Sequence, residues 1–173
     1  TGMRVREAKL LCPHVIVRTP DLDKYFDVHL KFRRIFRDYS PDVFPKSIDE
    51  VVVDFASVER LHVDLVRVGK EIKERIRRDV GEWMRCNIGI ATNRFLAKLA
   101  ASLHKPDGLD VITYENLRDV YASVGLTDLH GINVRYQELL NDTGIFTPLD
   151  FLAAPNEKLE KQVFQSIVGR YWY

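Results

Sequence analysis

The run Lys46-Ser47-Ile48-Asp49-Glu50-Val51-Val52-Val53-Asp54 constrains this chain more than any other stretch. Branching at Cβ suits consecutive valines to a pleated, buried strand and costs them side-chain freedom in a helix. Asp49 and Glu50 therefore stand on or beside a core strand. Ionised carboxylates next to a low-dielectric core need a compensating partner, and one divalent cation serves two of them. A metal site is the first expectation. Neighbouring side chains on an ideal strand point to opposite faces, so both acids can serve one ion only where the strand bends, ends or leaves a hairpin. Pro45 makes such an irregularity reasonable. The other reading is a pair of exposed acids at a strand end.

A length of 173 residues allows one good core, or one domain and a smaller appendage. With 46% apolar and 29% charged residues the composition is that of a soluble globular protein. Cys12 and Cys86 are far apart and form no CxxC pair, which argues against a disulfide framework or a zinc ribbon and for a reducing compartment. Neither a membrane-length apolar run nor an export leader is apparent. The net charge of +1 says little about partners, because 26 basic and 25 acidic side chains nearly cancel. Their clustering says more. Lys31, Arg33, Arg34 and Arg37, and again Arg75, Arg77 and Arg78, read as solvated helix faces, whereas Arg94, Lys98 and Lys105 flank the turn discussed below.

In chain order, a short helix is expected from Met3 to a stop at Pro13, then an extended piece at 14–18. Thr19 as N-cap and Pro20 in the first turn should open a helix ending near Ser40. Extended pieces follow at 43–44 and 48–55. The alternating charges of 66–80, with Val66, Ile72, Ile76 and Val80 among them, give an amphipathic helix capped by Gly81. Residues 85–91 alternate as a half-buried strand, 93–104 form a helix, 105–108 a turn and 111–112 a short strand. Beyond Thr113, a further expected N-cap, only short helical segments appear, which places a domain boundary there.

Two more motifs carry chemistry. Lys105-Pro106-Asp107-Gly108 follows a helix bearing Lys98, and a lysine beside such a turn is a suitable point-charge partner for a triphosphate; the plainer reading is a cation at a helix C-terminus. Leu129-His130-Gly131-Ile132-Asn133 joins two short helices, so that backbone amides could face a phosphate without reading sequence; the plainer reading is an ordinary helical turn. The five histidines, His14, His29, His62, His104 and His130, form no metal-binding pair and read as structural or surface residues. No serine or cysteine sits in a nucleophile pattern.

Together these stretches resemble the Y-family translesion DNA polymerases, most nearly the DNA polymerase IV type, over nearly all of the chain. Residues 2–13 are similar to the end of the family's fingers, and Ser47-Ile48-Asp49-Glu50 to its second acidic palm motif. The run from Cys86-Asn87-Ile88-Gly89-Ile90 through Asn93-Arg94-Phe95-Leu96-Ala97-Lys98 to Lys105-Pro106-Asp107-Gly108 is the most specific match. Gly131-Ile132 and Gly144-Ile145 resemble the thumb's helix-hairpin-helix. The resemblance implies an α+β fold: an antiparallel palm sheet backed by helices, then a small all-α helix-hairpin-helix thumb. It divides the chain into a fingers remnant at 1-21, a palm at 22-113 and a truncated thumb at 114-173.

It also implies template-directed DNA synthesis in translesion replication and repair. Asp49 would bridge two Mg²⁺ ions, and Glu50 would hold the ion that activates the primer 3′-hydroxyl. Lys105 would contact the incoming triphosphate; Ser47, Lys98, Gly131, Ile132 and Asn133 would touch the DNA backbone. The implied partners are primer-template DNA, deoxynucleoside triphosphates and a sliding clamp reached through a C-terminal region beyond the chain, in the nucleoid-associated cytoplasm and without a membrane. The chain departs from the pattern in lacking the family's first metal-binding aspartate, its steric-gate aromatic and its little finger. Asn133 stands where the hairpin's second glycine is usual. Asp54, although its surroundings look like that first motif, is expected to be structural. The fragment alone is therefore expected to be nearly inactive. The competing reading is a non-catalytic DNA-binding or accessory protein; a nucleotide cyclase ranks last, because its Gly-rich acidic hairpin is not found.

Overall fold

The computed structural model describes residues 2–58, 60–61 and 64–166. His62, Glu59 and the last part of the expected thumb, 167–173, lie outside the described residues. The N-terminal helix α1 (Val5–Leu11) buries no residue. Helix α2 (Leu22–Arg37) begins two residues later than Thr19-Pro20 suggested, because Asp21 is its N-cap and accepts the Lys24 amide. An aspartate there satisfies one of the orphan N–H groups that every helix start leaves.

Strands β1 (Val43–Pro45) and β2 (Val51–Val53) form an antiparallel hairpin in which Val43 faces Val53 and Pro45 faces Val51. The valines thus make β2, and Pro45 ends the partner strand β1, where a missing donor costs least. Beside it, buried Ser40 donates to the Asp54 carbonyl at 2.5 Å and accepts the Asp42 amide at 3.1 Å. The Asp54 carboxylate accepts the Ala56 amide at 2.9 Å, a local turn contact.

Helix α3 (Leu65–Asp79), N-capped by Asp64, packs Val68, Ile72 and Ile76 against Ile35 and Tyr39 of and beyond α2. Strand β3 (Ile88–Ala91), helix α4 (Arg94–Leu103) and strand β4 (Leu109–Ile112) follow as one βαβ unit. Its strands are parallel, with Ile88 opposite Leu109 and Ala91 opposite Ile112. The single antiparallel sheet expected from sequence is therefore corrected: the described residues hold two separate two-stranded ladders, one antiparallel and one parallel. The helix explains the difference, since a crossover through α4 returns the chain to the same end of the sheet. Gly89 lets α4 lie directly on β3, because a Cβ there would sit 1.9 Å from the Ala97 carbonyl oxygen and 2.4 Å from the Ala101 amide.

After β4 the chain is helical: α5 (Leu117–Ser123), a 3₁₀ turn (Leu126–Asp128), α6 (Val134–Asp142), α7 (Pro148–Ala153) and a closing turn running into a π-helical stretch (Leu159–Val163). Thr113 is not a cap; its amide donates to the Asn116 side chain at 2.8 Å. Leu99 and Ala100 of α4 and Ile112 of β4 share one buried cluster with Leu126, Leu129, Ile132, Leu140, Ile145 and Phe151. The βαβ unit and the C-terminal helices thus pack on common side chains. No helix of the described residues is long and apolar enough to cross a membrane.

Candidate functional site

Residues 46–50 form the loop of the β1–β2 hairpin. The Glu50 carbonyl closes it by accepting the Lys46 amide at 2.8 Å and the Ser47 amide at 3.2 Å. Asp49 and Glu50 lie in and at the end of this loop rather than on a regular strand, so strand alternation does not hold their side chains apart. Ser47 Oγ donates to Asp49 Oδ1 at 2.6 Å, which limits the rotamers of that exposed carboxylate. Glu50 Oε2 is paired with the Lys98 ammonium. The two side chains are 34% and 36% exposed, so solvent ions can reach the pair and its attraction is partly screened. His29, 8% exposed on α2, donates from Nδ1 to the Ile48 carbonyl at 3.0 Å. A carbonyl can only accept, which fixes the tautomer and ties the loop to the helix behind it.

The donor set suits a hard divalent cation. Two carboxylates supply part of an oxygen shell, and a small cation such as Mg²⁺ commonly takes the rest from water and substrate phosphate. Among the described residues no group of three or more His, Cys, Asp or Glu side chains gathers into a metal site.

The turn at 105–108 leads from α4 into β4. Asp107 has φ 65° and Gly108 has no room for a side chain, since a Cβ would lie 2.3 Å from the His104 carbonyl oxygen. Gly108 donates to the Asn87 side chain at 3.0 Å, and its carbonyl accepts the Ile88 amide at 3.1 Å. Lys73 of α3 reaches in from the other side. Its ammonium donates to the Cys86 and Gly108 carbonyls, each at 3.2 Å, and to the Asp107 carbonyl, and it pairs with Asp107 Oδ1 at 2.9 Å. Arg77 pairs with Asp107 Oδ2. The hydrogen bond from Lys73, with the nearby Arg77 charge adding to it, holds the Asp107 carboxyl below the usual carboxylate range. Burial pushes the Cys86 thiol up, although the Lys73 charge opposes this. Lys105 itself is exposed and has no ion-pair partner among the described residues.

The sequence-predicted site residues thus divide. Ser47, Asp49, Glu50 and Lys98 are brought together, with Lys98 directed at Glu50. Lys105 stands on the separate, braced turn that follows the helix bearing Lys98. Gly131, at φ 94°, Ile132 and Asn133 form the entry to α6. Ile132 is buried and its amide donates to the Leu129 carbonyl at 3.0 Å. Asn133 has φ −93° and caps α6 by accepting the Tyr136 amide at 3.0 Å, so that position needs no glycine. Lys73 and the carboxylate of Asp107 were not singled out from sequence, His29 was read only as a structural or surface residue, and Arg77, expected on a solvated helix face, is half-buried on Asp107. A signal existed for two of them. Lys73 interrupts the apolar stripe of Gly69, Ile76 and Val80, and His29 continues the stripe of Phe32 and Phe36.

Residues 1–102 match the impB/mucB/samB family. DNA polymerase IV of Moorella thermoacetica is 37% identical over 170 residues, covering 98% of this chain and 42% of that protein. DNA polymerase IV of Streptococcus pyogenes is 35% identical over 159 residues, covering 92% and 43%. The crystal structure of DinB from Sulfolobus solfataricus superposes with a TM-score of 0.82 at 25% identity, over 98% of this chain and 49% of that one. An insertion ternary complex of Dbh DNA polymerase gives 0.84 at the same identity and coverage. The chain spans less than half the length of these relatives.

Proposed function

Because the chain belongs to the impB/mucB/samB family, the Y-family DNA polymerases, we propose that it carries the metal-binding acids and the triphosphate-binding lysine of a DNA polymerase IV-type centre for template-directed synthesis in translesion replication and repair. The observation that supports this most is the hairpin loop, which presents two adjacent carboxylates to solvent next to Lys98. Asp49 and Glu50 are the residues that would hold two Mg²⁺ ions. When bound, such ions neutralise phosphate charge and make the primer 3′-hydroxyl easier to deprotonate for in-line attack on the incoming nucleotide.

The chain's own groups position these partners. Ser47 orients the Asp49 carboxylate. Lys98 balances Glu50 and, once a cation takes that role, is available to a DNA phosphate. Lys105 offers a point charge to the triphosphate, and the amides of Gly131 and Asn133, on either side of the Ile132 amide that is taken by the Leu129 carbonyl, offer donors to the duplex backbone at a helix start. With two acids at hand where the two-metal centre takes three, this chain alone should extend a primer slowly. Primer extension at the rate of an intact polymerase would contradict that.

The direct test is a Mn²⁺ titration of the chain followed by proton relaxation. Asp49→Ala with Glu50→Ala should weaken binding at least about a hundredfold, more than loss of an outer-shell partner costs. Unchanged affinity would overturn the catalytic reading and favour a non-catalytic DNA-binding protein.

A further inference from the structure

We propose that Lys73 is a positioning residue for nucleotide binding: together with Asp107 it fixes the turn that aims Lys105 at the triphosphate. The inference rests on the assignment of Lys105 above. Lys73 lies on α3, remote in sequence from the turn, yet its side chain is only 11% exposed. A lysine is rarely buried to that extent unless its charge is fully partnered. Here the partners are three carbonyl oxygens, of Cys86, Asp107 and Gly108, and one carboxylate, of Asp107.

Those carbonyls belong to the lead-in to β3 and to the irregular turn, where strand pairing is incomplete; the Gly108 carbonyl also accepts the Ile88 amide, and Lys73 supplies a donor to all three. One ammonium therefore joins α3, the start of β3 and the turn. Arg77, one helical turn along α3, takes the other oxygen of Asp107, and Arg85 approaches it at 3.8 Å. The Asp107 carboxylate faces into the protein on these cations while Lys105, two residues earlier, faces solvent. A freely hinged turn would spread the Lys105 ammonium over many positions, and the nucleotide would lose affinity by the cost of ordering it. Bracing the turn removes that cost before binding.

A brace that served stability alone would lower the unfolding temperature and leave the contribution of Lys105 intact. The distinction is measurable with a fluorescent deoxynucleoside triphosphate and Mg²⁺, titrated into the full chain. Lys105→Ala should weaken nucleotide binding. Lys73→Met should weaken it about three- to tenfold, a coupling in the usual range for residues acting through one contact. In the Lys105→Ala background the same change should cost less than about twofold, because nothing is left for it to position. Asp107→Asn, a milder change in case Lys73→Met unfolds, should show the same dependence on Lys105. Equal losses with and without Lys105, or full nucleotide affinity in Lys73→Met or Asp107→Asn when Lys105→Ala is impaired, would overturn the inference alone. No effect of Lys105→Ala would overturn the Lys105 assignment and the inference with it.

Discussion

The acidic hairpin loop at 46–50 and the basic turn at 105–108 are both short connections that hold polar groups in solvent, but they are fastened differently. The hairpin is tied to the body of the protein by His29 on one backbone carbonyl and by a half-buried Lys98–Glu50 pair. The turn is fastened by Lys73, Arg77 and Asn87, all directed at two consecutive residues. The difference suits what each would offer a ligand under the proposed assignment. Carboxylates that take a cation must exchange an internal partner for an external one, and a weak, screened pair allows that exchange. A lysine that meets a triphosphate gains nothing from mobility, so its turn can be locked in advance.

Four changes probe this contrast, the largest first. Gly89→Ala should disturb both connections at once, because its Cβ would strike the backbone of α4, the helix that carries Lys98 and leads into the turn. We expect a loss of about 2–3 kcal/mol, read by thermal unfolding. His29→Ala should separate them, costing about 1–2 kcal/mol by leaving the Ile48 carbonyl without its donor and speeding amide exchange at 46–50 but not at 105–108. Equal acceleration in both would mean that the two are not independently fastened.

Lys98→Met should tighten Mn²⁺ binding by about three- to tenfold, since the cation no longer competes with an ammonium for Glu50. Weaker binding would show Lys98 to be a helper of the metal rather than its competitor. The smallest effect concerns pH. The Asp107 carboxyl is held below its ordinary range, so the unfolded chain binds its proton more readily, and stability from this group is complete at neutral pH and lost as pH falls through the lowered value. Asp107→Asn should flatten the acid limb of the stability profile below about pH 4, near the ordinary aspartate value, whereas an unaltered limb would assign it to other carboxylates.

Much of the scaffold was legible in the sequence because it depends on short-range pattern. The stripes of α2 and α3, the valines of β2, and the strand–helix–turn–strand order at 85–112 all follow local periodicity and turn chemistry. What pattern could not supply was direction and long-range pairing. The parallel course of β3 and β4 depends on which end of the sheet α4 returns to. Asp21 rather than Thr19 caps α2, a choice between two acceptable caps. The candidate site divides in the same way. Asp49, Glu50 and Lys105 stand out by residue type and neighbours, whereas Lys73 and His29 act on backbone carbonyls remote in sequence and look like misplaced polar residues until the fold brings those carbonyls to them.

The central claim is that the hairpin's carboxylates and the turn's lysine act on one ligand. It is tested most directly by measuring Mn²⁺ affinity of the chain with and without a deoxynucleoside triphosphate. A shared ligand requires reciprocal coupling between the two sites. The nucleotide should tighten Mn²⁺ binding in the unaltered chain by more than the nucleotide's own affinity for the ion accounts for, and both Glu50→Gln and Lys105→Ala should abolish that excess. An excess that survives either substitution, or none in the unaltered chain, would contradict a common site.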